Sequence, residues 1–102
     1  MSVIKVTKDN FSELIGSGKP VLIDFYADWC GPCRAMSGVV DEIARENPQF
    51  AVGKVNVDDE LSLAQEYGVM SIPTLVVFKD GQPASRQIGI TPKDKLLELL
   101  KG

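Results

Sequence analysis

Residues 21–33 of this 102-residue chain read Val-Leu-Ile-Asp-Phe-Tyr-Ala-Asp-Trp-Cys-Gly-Pro-Cys. The apolar run over residues 20–27 is nearly continuous and rich in strand-forming residues, which is typical of a central strand covered on both faces. It leads directly into Cys30 and Cys33, the only cysteines in the chain. Because apolar residues then recur at helical spacing, the sequence predicts a helix over residues 32–46. The two thiols therefore lie where a buried strand meets the start of a helix.

Strands and helices alternate along the rest of the chain. Short apolar or alternating runs predict further strands at residues 3–6, 51–57, 74–78 and 85–90. The Asp80-Gly81 dipeptide predicts a hairpin between the last two strands, and Pro83, which cannot donate to a ladder, predicts that the final strand lies at an edge. The strand-helix-strand unit around the cysteines requires a parallel pair. We therefore expect an α/β fold with one mixed sheet and helices on both faces.

Apolar residues at helical spacing predict three further helices. Their expected N-caps are Thr7, then Asp58 or Asp59, and finally Thr91 followed by Pro92 in the first helical position. Glycines at positions 16, 18 and 68 are expected to end the first two of these helices.

Length and composition exclude several classes of protein. With 102 residues, 44% hydrophobic and 25% charged, the chain has the size and composition of one globular domain over residues 1–102. A net charge of −3 argues against nucleic acid as a partner. A membrane-spanning helix needs about 20 apolar residues in a row, and no segment approaches that length. The first six residues lack the features of a signal peptide, so we expect a cytoplasmic protein with mostly reduced thiols; a mature chain stripped of its signal would look the same.

Two structural roles for the cysteine pair are disfavoured. A disulfide stabilises a protein mainly by restricting its unfolded chain, and a ring of four residues would contribute about 2 kcal/mol at most. Zinc requires about four ligands, mostly Cys and His, but the chain contains no His and no third Cys. We therefore expect no bound metal and interpret the pair as a redox centre.

The positions of the two thiols give them different roles. Free N–H groups and the helix dipole favour a thiolate at Cys30, which makes Cys30 the candidate nucleophile. Cys33 lies one turn further along the same face, at a separation that suits a disulfide. It can therefore attack a mixed disulfide formed at Cys30 and release the reduced partner. Gly31 allows a partner backbone to approach closely, and Pro32 stiffens the first turn.

A charged residue interrupts the predicted central strand. Asp24 lies between Ile23 and Phe25, and an unpaired buried carboxylate is costly or takes up a proton. Asp24 is either an acid at a solvated strand end or a proton acceptor for Cys33, since the chain has no His to act as a base. Lys54, alone among apolar positions in its strand, is either a solvated lysine or a supporting cation near Asp24.

Several stretches of sequence together resemble the thioredoxin family. Residues 21–33 are similar to its active-site segment, and its later signatures are matched by Tyr67-Gly68-Val69, Ile72-Pro73-Thr74 and Phe78-Lys79-Asp80-Gly81. The similarity extends over essentially the whole chain. Trp-Cys-Gly-Pro-Cys with an upstream buried Asp and a downstream Ile-Pro-Thr is very specific. The resemblance implies a central mixed sheet of five strands flanked by four helices.

The resemblance also implies roles for individual residues. Cys30 attacks the target, Cys33 resolves the mixed disulfide and Asp24 accepts the proton. The Ile72–Pro73 bond is expected to be cis and to face the disulfide, so that the Ile72 backbone can pair with an extended substrate strand.

An apolar platform around Cys30 follows from the same resemblance. Its members are expected to be Trp29, Pro32, Ile72 and Gly89, and Pro73 is expected to take part in substrate binding. Ile88 and Ile90 either join this platform or pack in the core, where an alternating strand would place one of them.

Three residues depart from the usual family pattern. Tyr26 stands where Trp is frequent, Arg34 where Lys is common, and Gly38 where a proline usually kinks the active-site helix. Gly permits a bend without imposing one and costs about 1 kcal/mol relative to Ala. The sequence therefore does not predict whether the helix is kinked at Gly38. None of the three changes involves the redox pair.

The resemblance finally implies a protein-disulfide reductase that acts on disulfide-containing target proteins. We expect a monomer with no bound cofactor, recharged by thioredoxin reductase, a flavoprotein that uses NADPH. Oxidases and isomerases share the fold, but Gly-Pro between the cysteines resembles the reducing branch. A second class stays open, namely a binding module or partner subunit that uses the same platform in either redox state.

Overall fold

The computed structural model describes residues 3–102. Five strands form a mixed sheet in the order β1-β3-β2-β4-β5. Their bounds are Ile4–Lys5 for β1, Val21–Tyr26 for β2, Ala51–Asn56 for β3, Thr74–Lys79 for β4 and Gln82–Ile88 for β5. β1 and β2 run parallel to β3, whereas β4 runs antiparallel to both β2 and β5. The prediction of a five-stranded mixed sheet is confirmed.

Four helices cover the two faces of the sheet: α1 (Phe11–Ile15), α2 (Gly31–Glu46), α3 (Leu61–Glu66) and α4 (Lys93–Lys101). Buried side chains of α2 and α4 share one core cluster with Leu22 of β2. Those of α1 and α3 share a second cluster with Val21, Ile23 and Phe25 of the same strand. Because successive strand residues point to opposite faces, β2 contributes to both clusters. The prediction of a central strand covered on both sides is confirmed.

The connection from β2 through α2 to β3 positions the cysteines. β2 ends at Tyr26, and α2 begins at Gly31, beyond the carboxyl end of the parallel pair β2–β3. Met36 and Ile43 of α2 are almost fully buried, and each such side chain contributes about 1.5–3 kcal/mol. The apolar face of α2 therefore fixes the helix on the sheet, with its N-terminus at the edge where ligands of such sheets bind. The helix is continuous through Gly38.

Three of the predicted helix caps are wrong. The N-cap of α1 is Asn10 rather than Thr7, whose hydroxyl accepts a hydrogen bond from a backbone N–H in the preceding turn. Neither predicted aspartate caps α3. The Asn56 side chain accepts hydrogen bonds from the backbone N–H groups of Asp58 and Asp59, and the helix begins after this turn. Thr91 donates its hydroxyl to a backbone carbonyl, and Pro92 takes the N-cap of α4. In each case a local turn uses the polar groups before the helix begins.

The last strand also differs from its predicted bounds. β5 begins at Gln82 and includes Pro83, which its position at the sheet edge permits. It ends at Ile88 rather than Ile90, because Gly89 adopts φ +87° and turns the chain out of the sheet. The prediction of an edge strand is confirmed. Across residues 3–102, the helices are too short or too polar to cross a membrane.

Candidate active site around Cys30 and Cys33

Cys30 and Cys33 form a disulfide at the start of α2, with 5.2 Å between their Cα atoms. Cys30 occupies the N-cap of the helix, and its Sγ accepts a hydrogen bond of 3.2 Å from the backbone N–H of Cys33. A sulfur thus takes the place that a Ser or Asp oxygen fills in many caps. Because this place is the positive end of the helix dipole, it stabilises negative charge on Cys30 when the pair is reduced.

The backbone before β4 faces Cys30. The Sγ of Cys30 lies 3.8 Å from the carbonyl oxygen of Ile72. The Ile72–Pro73 bond is cis, as the resemblance implies. The Pro73 carbonyl accepts a hydrogen bond of 2.8 Å from the backbone N–H of Gly89. The structure thus brings Ile72, Pro73 and Gly89 together on the Cys30 side of the disulfide.

Segments that meet at this point carry large exposed apolar side chains. Trp29 is 70% exposed, and its indole N–H donates a hydrogen bond of 2.9 Å to the carboxylate of Asp58. Ile88 and Ile90 are both exposed, so the expectation that one of them packs in the core is wrong. The edge position of β5 and the turn at its end leave neither with a covering helix. Met70, which no local pattern marks, is also exposed.

Asp24 is fully buried within β2, so the alternative of a solvated acid at a strand end is wrong. Neither carboxylate oxygen has a hydrogen-bond partner within residues 3–102. Burial raises the pKa of Asp24 from 3.8 to about 7; the positive charge of Lys54 opposes the increase, and the negative charge of Asp41 adds to it. The carboxyl group can therefore exchange a proton near neutral pH.

Lys54 lies opposite Asp24 in the register of the parallel strands β2 and β3. Its ammonium donates a hydrogen bond of 2.9 Å to the hydroxyl of Ser37 on α2. The same nitrogen lies 4.7 Å from the centroid of the Tyr26 ring. The side chain is half-buried.

A small pocket joins these groups to the disulfide. Its volume is about 220 Å³, and it is lined by Tyr26, Ala27, Asp28, Cys33, Arg34, Ser37 and Lys54. A larger pocket of about 450 Å³ is lined by Ile4, Asn10, Glu13, Leu14, Gly16 and Ser17, none of them a predicted site residue. The chemistry of the lining rather than the volume identifies the site. In the part of the chain that the structure describes, no cluster of three or more Cys, His, Asp or Glu side chains could hold a metal ion.

Two polar residues of the site were not predicted in these roles. Asp58 binds the Trp29 indole across 29 positions of sequence, and Ser37 binds Lys54 across 17. Contacts between residues this far apart are set by the packing of helices on the sheet. No local pattern in the sequence could have indicated them.

Comparisons with known proteins agree with this geometry. A family model described as Thioredoxin matches residues 2–102. A thioredoxin from Pyropia yezoensis is 50% identical over 102 residues, covering 98% of this chain and 95% of that protein. A thioredoxin from Chlamydia caviae is 45% identical over 95 residues, covering 93% of this chain and 92% of that protein.

Solved structures give the same result. A mutant thioredoxin from Halobacterium salinarum NRC-1 is similar with a TM-score of 0.92 at 37% identity, covering 98% of this chain and 88% of that one. Thioredoxin f from spinach chloroplast, in its short form, has a TM-score of 0.90 at 31% identity, covering 98% of this chain and 91% of that one. The similarity therefore includes the whole sheet and its four helices.

Proposed function

The chain belongs to the thioredoxin family, and from that premise we propose that it is a protein-disulfide reductase. The observation that carries the proposal is the Cys30–Cys33 pair at the N-terminus of α2, bonded to each other and with Cys30 beside the Ile72 backbone. The pair alternates between a dithiol and a disulfide and passes two electrons to a target protein. This activity resides in one domain over residues 1–102 and takes place in the cytoplasm, where thiols are kept reduced.

In the first step, the Cys30 thiolate attacks one sulfur of a target disulfide. A new S–S bond joins Cys30 to the target, the bond within the target breaks, and its second sulfur leaves as a thiolate. The position of Cys30 at the N-cap supports this assignment, since the Cys33 N–H and the helix dipole both stabilise negative charge on its sulfur.

In the second step, Cys33 loses its proton and attacks the Sγ of Cys30. The intrachain disulfide forms, the mixed disulfide breaks, and the remaining target sulfur leaves as a thiolate. Asp24 is the proposed acceptor of the Cys33 proton, with Lys54 as its supporting cation. Two properties support this role: the Asp24 carboxylate is buried and unbonded among the described residues, and its pKa of about 7 matches a neutral working pH.

The target binds as an extended segment beside Cys30. Backbone groups of Ile72 pair with that segment in the manner of an added strand, and its side chains contact the platform formed by Trp29, Pro32, Ile72 and Gly89, beside the buried Pro73. Gly31 leaves room for the approaching backbone. The exposure of Trp29 and the short distance between the Cys30 sulfur and the Ile72 carbonyl support this mode of binding.

A thioredoxin reductase returns the disulfide to the dithiol, with NADPH as the source of electrons and the flavin held by that partner. The chain itself works as a monomer and binds no cofactor. Membership of the family supports the reductase as a partner, and two-electron exchange between disulfides requires no group beyond the two cysteines.

A coupled assay tests the proposed function. The protein is mixed with NADPH, a thioredoxin reductase and insulin, and turbidity from the reduced insulin chains is recorded together with NADPH consumption. We expect both signals with the natural sequence and with Ser62→Ala, an exposed serine on α3. Neither signal should exceed background when both cysteines are replaced by Ser. Turbidity at the natural rate with the double variant would contradict the proposal.

The exposed apolar platform also favours a second candidate, a binding module that is indifferent to redox state. Retention of the partner and of the cellular phenotype by the variant with Cys30→Ser and Cys33→Ser would establish this alternative. A reduction potential near the oxidising end of the compartment's range would instead favour an oxidase or isomerase.

A further inference from the structure

Three elements of the fold converge on one lysine. β3 supplies Lys54, α2 supplies Ser37, whose hydroxyl accepts the ammonium N–H at 2.9 Å, and β2 supplies Tyr26, whose ring centroid lies 4.7 Å from the same nitrogen. A lysine side chain has four rotatable carbon–carbon bonds and ordinarily extends its charge into water. Here the hydrogen bond and the ring hold the charge against the sheet.

The held charge lies next to a group that lacks any direct partner. Lys54 is the register neighbour of Asp24 on the adjacent parallel strand, and side chains of register neighbours point to the same face of a sheet. Asp24 forms neither a hydrogen bond nor an ion pair with any residue in the range 3–102. The positive field of Lys54 therefore acts on Asp24 through space.

The other charges around Asp24 do not replace this field. Asp41 on α2 acts in the opposite direction, since its negative charge favours the protonated carboxyl. The antiparallel neighbour on β4 is the apolar Leu75. On the pocket side, Arg34 donates to the backbone carbonyl of Asp28, and both residues line the pocket. Lys54 is the one cation in residues 3–102 whose charge opposes the effect of burial on Asp24.

We propose that Ser37 is a positioning residue: with the Tyr26 ring it holds the Lys54 ammonium beside Asp24 and thereby sets the pH at which Asp24 takes up its proton. This has a consequence for the reductase cycle, which rests on the proposed function. Ser37 sets the fraction of molecules in which Asp24 is deprotonated and can accept the Cys33 proton in the release step.

Removal of the Ser37 hydroxyl should shift the titration midpoint of Asp24 in a definite direction. In Ser37→Ala the ammonium loses its acceptor and moves through the pocket toward water, so that less positive charge acts on Asp24. Lys54 lowers the pKa of Asp24 against the effect of burial, and a nearby opposite charge favours the ionised carboxyl, so partial loss of this field should move the Asp24 titration midpoint upward. Ser37→Thr keeps the hydroxyl and should restore the natural midpoint.

The test is a titration of the Asp24 side-chain carboxyl by ¹³C NMR in the isolated, oxidised protein. Ser37→Ala should move the midpoint upward, whereas Ser37→Thr and the exposed control Ser62→Ala should leave it unchanged. Lys54→Met should move it upward by at least as much, and adding Ser37→Ala to Lys54→Met should produce no further change. A midpoint that stays constant or falls in Ser37→Ala would overturn the proposal, as would a full Ser37→Ala shift in the absence of Lys54.

This titration requires neither a target nor a reductase, so its result is independent of the proposed function. The release rate of a preformed mixed disulfide at Cys30, recorded against pH, then extends the test to the reductase cycle. Its midpoint should move upward with that of Asp24 in Ser37→Ala. If the NMR midpoint moves but the natural protein reduces no insulin, the positioning role of Ser37 stands and the proposed function is wrong.

Discussion

Asp24 and Lys54 lie opposite each other on adjacent parallel strands, yet the Lys54 ammonium is bonded to Ser37 rather than to the carboxylate. Within residues 3–102, both Asp24 oxygens are buried and have no hydrogen-bond partner. Such an arrangement is costly for a carboxylate. It keeps a carboxyl group with a pKa of about 7 in the core.

Replacement of Asp24 by Asn should stabilise the fold in a pH-dependent way. Because the folded-state pKa is above its ordinary value, the folded protein loses stability as the pH rises from about 3.8 to about 7, and no penalty applies below that range. The full difference in pKa corresponds to about 4 kcal/mol. The free energy of unfolding of Asp24→Asn, relative to the natural sequence, should therefore increase by an amount of that order between pH 3 and pH 8.

Urea unfolding at several pH values measures this difference. Asp9→Asn removes an exposed carboxylate and serves as the control, with an expected effect within about 0.5 kcal/mol at every pH. Asp24→Asn should also slow release of the mixed disulfide. A variant that is clearly destabilised at pH 8 would show that Asp24 is paired or solvated in solution.

Two glycines should respond to alanine in opposite directions. A Cβ at Gly38 would meet no atom within 4 Å, so Gly38→Ala should stabilise α2 by about 0.5–1 kcal/mol. A Cβ at Gly53 would lie 2.5 Å from Val6 Cγ2 and 2.8 Å from Leu14 Cδ2. Gly53→Ala should therefore destabilise the protein by about 1–3 kcal/mol through overpacking.

The denaturant concentrations at the unfolding midpoints of the two variants test these predictions, provided that the free energy of unfolding has the same dependence on denaturant concentration in both. Reductase activity should be unchanged in Gly38→Ala, because the added methyl group touches no part of the site. A loss of stability in Gly38→Ala would mean that α2 bends at this residue in solution and needs the freedom of glycine.

Trp29 should contribute to target binding far more than to folding. It is 70% exposed and held by one hydrogen bond that it donates to Asp58, so Trp29→Ala removes contact area for a target while leaving the core intact. Loss of one aromatic contact in an interface should lower kcat/KM for a protein target by about tenfold, or about 1.4 kcal/mol.

Initial rates of target reduction provide the measurement for Trp29. Ile4→Ala, a partly exposed apolar residue on the edge strand β1, is the matched control and should retain the natural kcat/KM. Equal losses in both variants would show that the assay responds to surface apolarity rather than to the platform.

Local sequence patterns predicted the central strand and the cysteine-bearing helix because both have long, unbroken apolar periodicity. They failed at helix starts such as those after Thr7 and Thr91, where a short polar side chain bonds to a turn instead. They also failed at Ile88 and Ile90, since a strand pattern does not reveal where Gly89 turns the chain.

In the candidate site, too, local sequence predicted some features, whereas others depend on tertiary packing. The role of Cys30 was predicted from its place before a helix, and the burial of Asp24 was one of two interpretations of its apolar neighbours. The cis bond at Ile72–Pro73 followed only from the family resemblance. The Ser37–Lys54 hydrogen bond depends on how α2 packs across β3, which no local pattern specifies.

Attack by Cys30 and release by Cys33 are tested most directly by the trapping of mixed disulfides. Each single Cys→Ser variant is incubated in reduced form with a disulfide-bonded target protein, and intact masses and linked peptides are determined by mass spectrometry. Cys33→Ser should accumulate the target on Cys30, because no second thiol is available to expel it. Cys30→Ser should accumulate none. Absence of an adduct in Cys33→Ser, or an adduct on Cys33 in Cys30→Ser, would contradict the account.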